Sequence, residues 1–311
     1  MPPDARDRGS TPDVSVLIVT YQARAFIDHC LKAVKAQTGL TIETIVVDNA
    51  SPDGTGDHIK RVHPDVSFTQ ADENSGFSAG VNRVARQAHG RHLLLLNPDT
   101  ELRPDTASTL AAYLDTHPEV GAVGPRLANS DGTPQDAAFA YPSLLMHWLE
   151  FFPHPARLLH TRWNGRLDSR TDEPVEIDHP LGACMLIRRA AWDQVGPLDE
   201  GFFMYCEEVD WCMRARDAGW RIMQVPTTTV VHWSGASSKQ NPESITYLYA
   251  SRRRLHHKHR GALFRVAAAV ITRMGLMQER RRLRQARTQG TDPTAVLRLE
   301  AVEQVLGGAL L

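Results

Sequence analysis

Cysteine, long apolar runs and net charge are all scarce in this chain, and each scarcity excludes a class of protein. Its 311 residues contain four cysteines, none spaced Cys-x-x-Cys, which is too few for a disulfide scaffold and indicates a reducing, cytoplasmic compartment. No stretch approaches the roughly 18 consecutive apolar residues that span a bilayer, and residues 1–13 lack the apolar segment of a signal peptide. A formal net charge of −1 argues against nucleic acid as a partner.

What is present is an alternation of strand and helix patterns over the first 125 residues. Strands are predicted at 14–20, 41–47, 66–70, 91–96 and 120–123, and helices at 23–37, 54–62, 76–89 and 104–116. This alternation predicts an α/β fold with a parallel sheet and helices on both faces.

The rest of the chain is less regular. Residues 129–180 lack a regular pattern and predict a long loop segment that lines or covers the ligand edge of the sheet. A strand at 183–188, helices at 190–195 and 207–218, and strands at 221–225 and 228–232 follow, and the chain is helical after 240 except for a break at 290–293. We therefore expect a flexible tail at 1–12, one domain at 13–240 and a helical extension at 241–311.

Polar residues stand where three apolar strands end: Thr20-Tyr21, Asp48-Asn49 and Asn97-Pro98-Asp99. Each group taken alone also suits a turn. Because the carboxyl ends of parallel strands share one edge, and open sheets bind ligands there, the three together predict a site. A carboxylate such as Asp99 can hold a divalent cation against a phosphate.

Two further segments carry candidate chemistry. The segment from Asn74 to Asn82 opens a helix with Gly76 and Gly80, which suits an anion, although it is neither a P-loop nor Gly-x-Gly-x-x-Gly and glycine there also serves packing. Residues 202–211 place Glu207, Glu208 and Asp210 among aromatic residues, an environment that raises a carboxyl pKa toward that of a general base. The alternative is that these acids only stabilise a helix N-terminus.

The order of these motifs resembles the GT-A type glycosyltransferases of family 2, in particular the rhamnosyltransferase-like branch. The matching segments are 16–21, 46–51, 74–82, 96–99, 182–189, 198–203, 207–211 and His232. The resemblance implies a GT-A fold, with a donor half at 13–125 and an acceptor half at 126–240.

The resemblance also implies roles for individual residues. Thr20, Tyr21, Asp48 and Asn49 would bind the nucleotide, and Asn74, Gly76, Gly80 and Asn82 would shape the pocket beneath it. Asp99 would bind Mg²⁺ or Mn²⁺ together with His232, with Asn97 at the first position of the family's Asp-x-Asp motif. Glu208 would be the catalytic base, with Glu207 and Asp210 as alternates.

The implied reaction is an inverting transfer of a sugar, rhamnose by analogy, in cell-surface polysaccharide synthesis. The donor would be a dTDP-, UDP- or GDP-linked sugar, and the acceptor a glycan or a lipid-pyrophosphate-linked hydroxyl. Two alternatives stay open: a sugar-nucleotidyltransferase, although the glycine-rich basic loop expected after its first strand is absent, and a non-catalytic nucleotide- or carbohydrate-binding protein, against which the acids at 99 and 208 speak.

The C-terminal segment from Arg252 to Arg287 contains twelve Arg and Lys residues opposed only by Glu279. A basic amphipathic helix is typical of attachment to an anionic membrane surface, here the inner face of the cell membrane. The alternatives are a solvated face or a homodimer contact. Arg252 is placed close enough to the predicted site to meet a substrate phosphate.

Overall fold

The computed structural model describes residues 11–158, 161–233, 243–289 and 294–308. The predicted tail at 1–12 and the break at 290–293 therefore lie almost entirely outside the described residues. The described strands are β1 (Val14–Thr20), β2 (Ile42–Asp48), β3 (Ser67–Gln70), β4 (His92–Leu96), β5 (Thr100–Glu101), β6 (Val120–Ala128), β7 (Pro134–Gln135), β8 (Ala138–Phe139), β9 (Val175–Glu176), β10 (His179–Pro180), β11 (Cys184–Arg188) and β12 (Arg221–His232).

Helices alternate with these strands and then form the C-terminal extension. They are α1 (Ile27–Lys35), α2 (Thr55–Val62), α3 (Phe77–Ala85), α4 (Thr106–Thr116), α5 (Leu144–Phe151), α6 (Arg189–Val195), α7 (Glu207–Asp217), α8 (Glu243–His259), α9 (Ala262–Gln289) and α10 (Ala295–Gly307). No helix among the described residues combines the length and apolar character that crossing a bilayer requires.

The central sheet has the strand order β3-β2-β1-β4-β11-β6-β12-β5. Strands β1 to β4 are parallel, β6 and β12 are parallel to each other, and β11 is antiparallel to both β4 and β6. Because β11 is antiparallel to both of its neighbours, β6 runs in the same direction as β4, and so does β12. The carboxyl ends of six strands therefore share one edge, as the alternation predicted.

Both faces of the sheet are buried. Along β4 the side chains of Leu94 and Leu96 enter one apolar cluster, and those of Leu93 and Leu95 enter the other. Alternate residues of a strand point to opposite faces, so a continuous leucine run is what a doubly covered strand requires. The run Leu93–Leu96 is fully buried, as predicted.

The structure corrects two boundary predictions. The helix predicted after residue 240 is interrupted at 260–261, between α8 and α9. Residues 221–232 form a single strand instead of two, and its pairing with β6 shifts register between Val225 and Thr229. The segment Val225-Pro226-Thr227, which suggested a turn, forms a bulge within the strand. β12 lies between β6 and the two-residue strand β5, and it stays paired with β6 before and after this bulge.

Candidate functional site

Strand order brings distant motifs to one edge of the sheet. Thr20 ends β1, Asp48 ends β2, Asn97 follows β4 and His232 ends β12. The antiparallel β11 begins at this edge, where the amide of Asn97 donates to the carbonyl of Ala183 at 2.9 Å. This hydrogen bond joins the end of β4 to the segment 182–183, which is distant in sequence.

Asp48 is fully buried and its carboxylate is engaged within the protein. Oδ1 accepts from the hydroxyls of Thr20 at 2.8 Å and Ser51 at 2.5 Å, and Oδ2 accepts from the Ser51 amide at 2.9 Å and Gln70 Nε2 at 2.8 Å. Four donors fix the ends of β1, β2 and β3 relative to each other. Tyr21, next to this network, is exposed.

The glycine loop before α3 lies against the same edge. Asn49 Nδ2 donates to the carbonyl of Gly76 at 2.9 Å, and Asn74 Oδ1 accepts from the Gly76 amide at 3.1 Å. A Cβ on Gly80 would lie 2.7 Å from Val19 Cγ1, so glycine permits α3 to pack on β1. Three buried oxygens here have no hydrogen-bond partner: Asn49 Oδ1, Ser75 Oγ and Ser78 Oγ.

Asn82 and Gly76 tie this loop to the segment 198–203. Asn82 Nδ2 donates to the Leu198 carbonyl and to Glu200 Oε1, both at 2.9 Å, and its Oδ1 accepts from the Leu198 amide at 3.0 Å. Gly76 has φ +87°, and the amide of Phe77 donates to the Phe203 carbonyl at 2.7 Å. The side chain of Asn82 is therefore occupied in joining α3 to the segment that precedes α7.

Asp99 and His232 lie together, with Nε2 of the imidazole 3.5 Å from Oδ1 of the carboxylate. Both are buried. The other ring nitrogen, Nδ1, lies 3.2 Å from Oε1 of Gln135. An amide oxygen only accepts, so Nδ1 carries a hydrogen for Gln135, and Nε2 is the ring nitrogen that faces Asp99.

This arrangement fits a divalent cation. Neighbouring ligands of an octahedral Mg²⁺ or Mn²⁺ site lie about 3 Å apart, close to the observed spacing. A ligating histidine usually donates its second nitrogen to a fixed acceptor, the part that Gln135 takes here. No sequence pattern pointed to Gln135, because it lies in the unpatterned stretch 129–180.

Glu207 and Glu208 begin α7 and each has a buried Oε2 with no hydrogen-bond partner. Burial raises the pKa of Glu208 to about 7. Burial, and then the neighbouring charge of Glu208, raise the pKa of Glu207 well above its ordinary value. Glu208 packs against Gly182, whose added Cβ would lie 3.5 Å from Glu208 Cδ, so this carboxyl is placed at the edge where β11 begins.

Asp210 has a different environment. Its carboxylate accepts from Arg214 Nε at 2.9 Å, Lys258 Nζ at 2.8 Å and His259 Nε2 at 2.7 Å. Burial opposes ionisation, but these three donors outweigh it and lower the pKa of Asp210. A carboxylate neutralised by three cationic or donor groups is a poor proton acceptor, so the geometry favours Glu207 or Glu208 over Asp210 as the base.

Backbone strain is concentrated around these groups. Among the described residues, the non-glycine residues with positive φ are Gln22, Ala50, Tyr205 and Cys206. Gln22 and Ala50 adjoin the Thr20 and Asp48 groups, and Tyr205 and Cys206 directly precede Glu207. Such conformations cost about 1–3 kcal/mol each and cluster at functional sites.

Arg252 is already paired with an acid within the protein. Its Nη1 contacts both oxygens of Glu150 on α5, at 2.7 and 2.9 Å, and its guanidinium lies over the ring of Tyr249. The structure thus places the residue that we predicted to meet a substrate phosphate in a cavity of the helical extension.

A second cluster of potential metal ligands, which the sequence did not suggest, lies between α1 and α2. Asp28 Oδ1 is 2.7 Å from His58 Nε2 and 2.9 Å from His63 Nε2. His58 Nδ1 lies 3.3 Å from the Arg61 guanidinium, which only donates, so Nε2 carries the hydrogen. That tautomer binds Asp28 and not a metal, so we interpret this cluster as a hydrogen-bonded one.

Comparison with known proteins agrees with this geometry. The family model described as Glycosyl transferase family 2 matches residues 15–195. The chain is 29% identical over 266 residues to the N-acetylglucosaminyl-diphospho-decaprenol L-rhamnosyltransferase of Mycobacterium tuberculosis, covering 80% of this chain and 82% of that protein. It is 26% identical over 225 residues to the low-salt glycan biosynthesis hexosyltransferase Agl10 of Haloferax volcanii, covering 71% of this chain and 67% of that protein.

Among solved structures, the fold is similar to that of the mannosyltransferase PcManGT from Pyrobaculum calidifontis in complex with GDP-Man and Mn²⁺. The TM-score is 0.55 at 17% identity, and the match covers 96% of this chain and 81% of that chain. The predicted GT-A fold, with its mostly parallel sheet, is confirmed.

Proposed function

This chain belongs to glycosyl transferase family 2 and is a glycosyltransferase, and we propose that it transfers its sugar with inversion from a nucleoside diphosphate donor to a lipid-linked glycan acceptor. The observation that carries the proposal is the buried carboxyl of Glu208, whose Oε2 has no hydrogen-bond partner and whose pKa is raised to about 7, at the sheet edge that also holds Asp99 and His232. A base and a diphosphate site at one edge are what a displacement at a sugar–phosphate bond requires.

In the proposed reaction Glu208 removes the proton of the acceptor hydroxyl as its oxygen attacks the anomeric carbon. The bond from that carbon to the diphosphate oxygen breaks, and one displacement inverts the configuration. Asp99 and His232 would hold Mg²⁺ or Mn²⁺, which supplies positive charge to the departing diphosphate when bound. The network around Asp48 and the loop at Asn74–Gly76 would hold the nucleoside, with the buried oxygens of Asn49, Ser75 and Ser78 as candidate polar contacts.

The donor and acceptor are proposed from the relatives. The name of the Mycobacterium tuberculosis protein specifies rhamnose and a diphosphate-linked polyprenol. Names of this kind support a role for this chain in cell-wall glycan synthesis. dTDP-rhamnose is therefore the first donor to test, with UDP- and GDP-linked sugars as the alternatives. We propose that the acceptor is presented at the membrane surface.

An apolar stripe on α9 supports that location. The side chains of Leu263, Val266, Val270 and Met274 are 90%, 64%, 52% and 50% exposed and recur every three or four residues. The exposed arginines at 273, 281 and 284 continue the same face. A helix with an apolar stripe and basic flanks suits the interface of an anionic membrane.

The decisive experiment combines donor and acceptor. Purified protein, Mn²⁺, each of the three donor types and a short polyprenyl-diphospho-N-acetylglucosamine are incubated, and products are detected by mass spectrometry. The proposal expects a mass increase of one deoxyhexose with dTDP-rhamnose, lost in Glu208→Gln. Transfer that persists in Glu208→Gln would overturn the base assignment, and transfer only from another donor would overturn the rhamnose assignment.

Membrane binding is measured separately by co-sedimentation with vesicles. We expect binding to vesicles containing phosphatidylglycerol and a large loss in Val270→Glu with Met274→Glu. If the double variant binds the vesicles as well as the unaltered protein does, the stripe is not the contact surface. A dimer that dissociates on the same substitutions would show that the stripe is a subunit interface instead.

A further inference from the structure

A cavity of about 300 Å³ lies between α5, α8 and α9 in the C-terminal extension. Its lining has no carboxylate and includes, together with Tyr249 and Thr272, three arginines and three histidines: Arg252, Arg253, Arg265, His147, His256 and His257. The remainder is mostly small and apolar, including Val266, Ala268 and Ala269. The three arginines give this cavity its positive charge, and the histidines add imidazole nitrogens to its lining.

His147 supplies the strongest sign of a ligand. It is 4% exposed, its Nε2 lies 3.3 Å from Nε2 of His256, and its Nδ1 is buried with no hydrogen-bond partner. A buried polar atom without a partner is destabilising by about 1–3 kcal/mol, so such atoms are rare unless a ligand or water completes them. Its burial and the charge of Arg252 lower the pKa of His147 to about 4, so the ring is neutral and Nδ1 can donate.

The positive charge in the cavity is only partly neutralised. Arg252 pairs with Glu150. Arg265 instead donates from Nη1 to Nδ1 of His257 at 3.0 Å, and an imidazole nitrogen that accepts from a guanidinium is uncharged. The charge of Arg265 is therefore available to an anion at short range.

The cavity is continuous with the apolar stripe on α9. Val266 lines the cavity and is also 64% exposed on the stripe, beside Leu263. On its other side α8 contacts the loop that leads to Glu208: Ser251 Oγ donates to the Met204 carbonyl at 2.8 Å, and Leu255 packs with Phe202 and Val209. The same helix, α8, therefore lines the basic cavity and contacts the segment that carries the proposed base.

We propose that this cavity binds the diphosphate group of a polyprenyl-linked acceptor, with the first part of the lipid chain leaving along Leu263 and Val266. The inference rests on the proposed function in taking the acceptor to be lipid-linked. Arginine and imidazole donors supply the charge-assisted hydrogen bonds that a diphosphate accepts, and the alanine and valine wall suits a hydrocarbon chain. A free anion would leave the apolar wall without contacts, and a neutral lipid would leave the arginines without a negatively charged partner.

Binding is tested without any donor sugar, using farnesyl diphosphate as the probe and isothermal titration calorimetry as the measurement. Inorganic diphosphate and farnesol are the two half-ligands. We expect farnesyl diphosphate to bind at least tenfold more tightly than either. Equal affinity for inorganic diphosphate would reduce the cavity to a simple anion site and overturn the proposal, as would equal affinity for farnesol. Displacement of the probe by short-chain phosphatidylglycerol at similar concentration would identify a general lipid headgroup site instead.

Two variants locate the site. Arg265→Gln and His147→Phe are each expected to weaken farnesyl diphosphate about tenfold, which is one lost charge-assisted or buried hydrogen bond. Arg282→Gln, an exposed position of the same helix outside the cavity lining, is the matched control and should bind as the unaltered protein does. Unchanged affinity in Arg265→Gln, with its melting temperature retained, would place the binding elsewhere.

The donor reaction separates this inference from the proposed function. Arg265→Gln should still hydrolyse the nucleotide-sugar at the unaltered rate, because Glu208 and Asp99 are untouched, while transfer to the lipid-linked acceptor should show a raised KM. If the unaltered protein does not hydrolyse the nucleotide-sugar, the result counts against the proposed function alone. Normal transfer with an unchanged KM in Arg265→Gln would count against the cavity alone.

Discussion

Gln135 fixes the imidazole of His232 through a contact of 3.2 Å to Nδ1, and this sets which nitrogen faces Asp99. Gln135 lies on β7, which pairs with β6, and His232 lies at the end of β12, which pairs with β6 on its other edge. The sheet therefore holds both members of the contact in place. A second partner of this kind orients a metal ligand and increases its basicity.

Removing that partner should weaken the cation site without destroying it. We expect Gln135→Leu to raise the Mn²⁺ concentration for half-maximal activity about 10- to 100-fold, the usual effect of losing such a contact. Thr133→Ala is the control, because Thr133 bonds only within its own turn, to Asp131 and Asn129. A Mn²⁺ titration of both variants checks this, and equal titration curves would show that Gln135 does not act on a metal ligand.

The two glutamates at the start of α7 should differ in their effect on turnover. Loss of a general base typically costs about 10²- to 10⁴-fold in rate, so Glu208→Gln should lower kcat by that factor and leave nucleotide affinity unchanged. Glu207→Gln removes a buried carboxyl of the same kind and serves as the comparison, with a smaller effect expected. Single-turnover rates and nucleotide titrations separate the two, and a larger loss in Glu207→Gln would move the base to Glu207.

The raised pKa of Glu208 predicts opposite responses of activity and stability to pH. Its base form is the ionised one, so log kcat/KM should rise with unit slope below pH 7 and level off above it. The folded state binds this proton more tightly than the unfolded state, whose pKa is near 4.5, so the free energy of unfolding should fall as pH rises from about 4.5 to 7. Denaturant titrations across that range should show the fall and its reduction in Glu208→Gln, and a flat profile would mean that the group is not buried as described.

Asp210 should prove to be structural. Its fully buried carboxylate joins α7 to Lys258 and His259 of α8. Asp210→Asn should lower the free energy of unfolding by about 3 kcal/mol, because it leaves cationic partners unpaired. Its pKa is lowered in the folded state, so this contribution is present at neutral pH and is lost as pH falls below about 4. Urea unfolding at pH 7 measures the loss, and full stability with lost activity would return Asp210 to the list of candidate bases.

Gly76 should tolerate no side chain, for two separable reasons. Its φ of +87° strains any other residue, and an added Cβ would lie 2.5 Å from the Phe203 carbonyl oxygen. Gly54 has a similar φ of +77° with nothing within 4 Å of an added Cβ, so Gly54→Ala measures the backbone strain alone. Gly76→Ala should therefore lose more stability than the roughly 1 kcal/mol expected for Gly54→Ala, and it should also weaken nucleotide binding. Equal melting temperatures would show that the Phe203 contact is not tight.

The sequence determined the order and type of the elements because each strand and helix carries its own periodicity. The leucine run at 93–96 required a doubly covered strand, and the four cysteines are unpaired, as their spacing predicted. Strand ends marked by Thr20, Asp48 and Asn97 indicated one edge, and the fold brings them there together with His232. The roles assigned to these residues remain predictions that the experiments above address.

Tertiary packing alone decided which of three neighbouring acids is neutralised and where Arg252 points. Glu207, Glu208 and Asp210 are alike in sequence, yet Asp210 meets Lys258 and His259 because α8 packs across α7, a long-range contact that leaves no local pattern. Gln135 likewise reaches His232 through a sheet register that two distant strands share. Periodicity reports which side of an element is buried, whereas the charges that surround a buried group come from other elements, and only the folded chain fixes them.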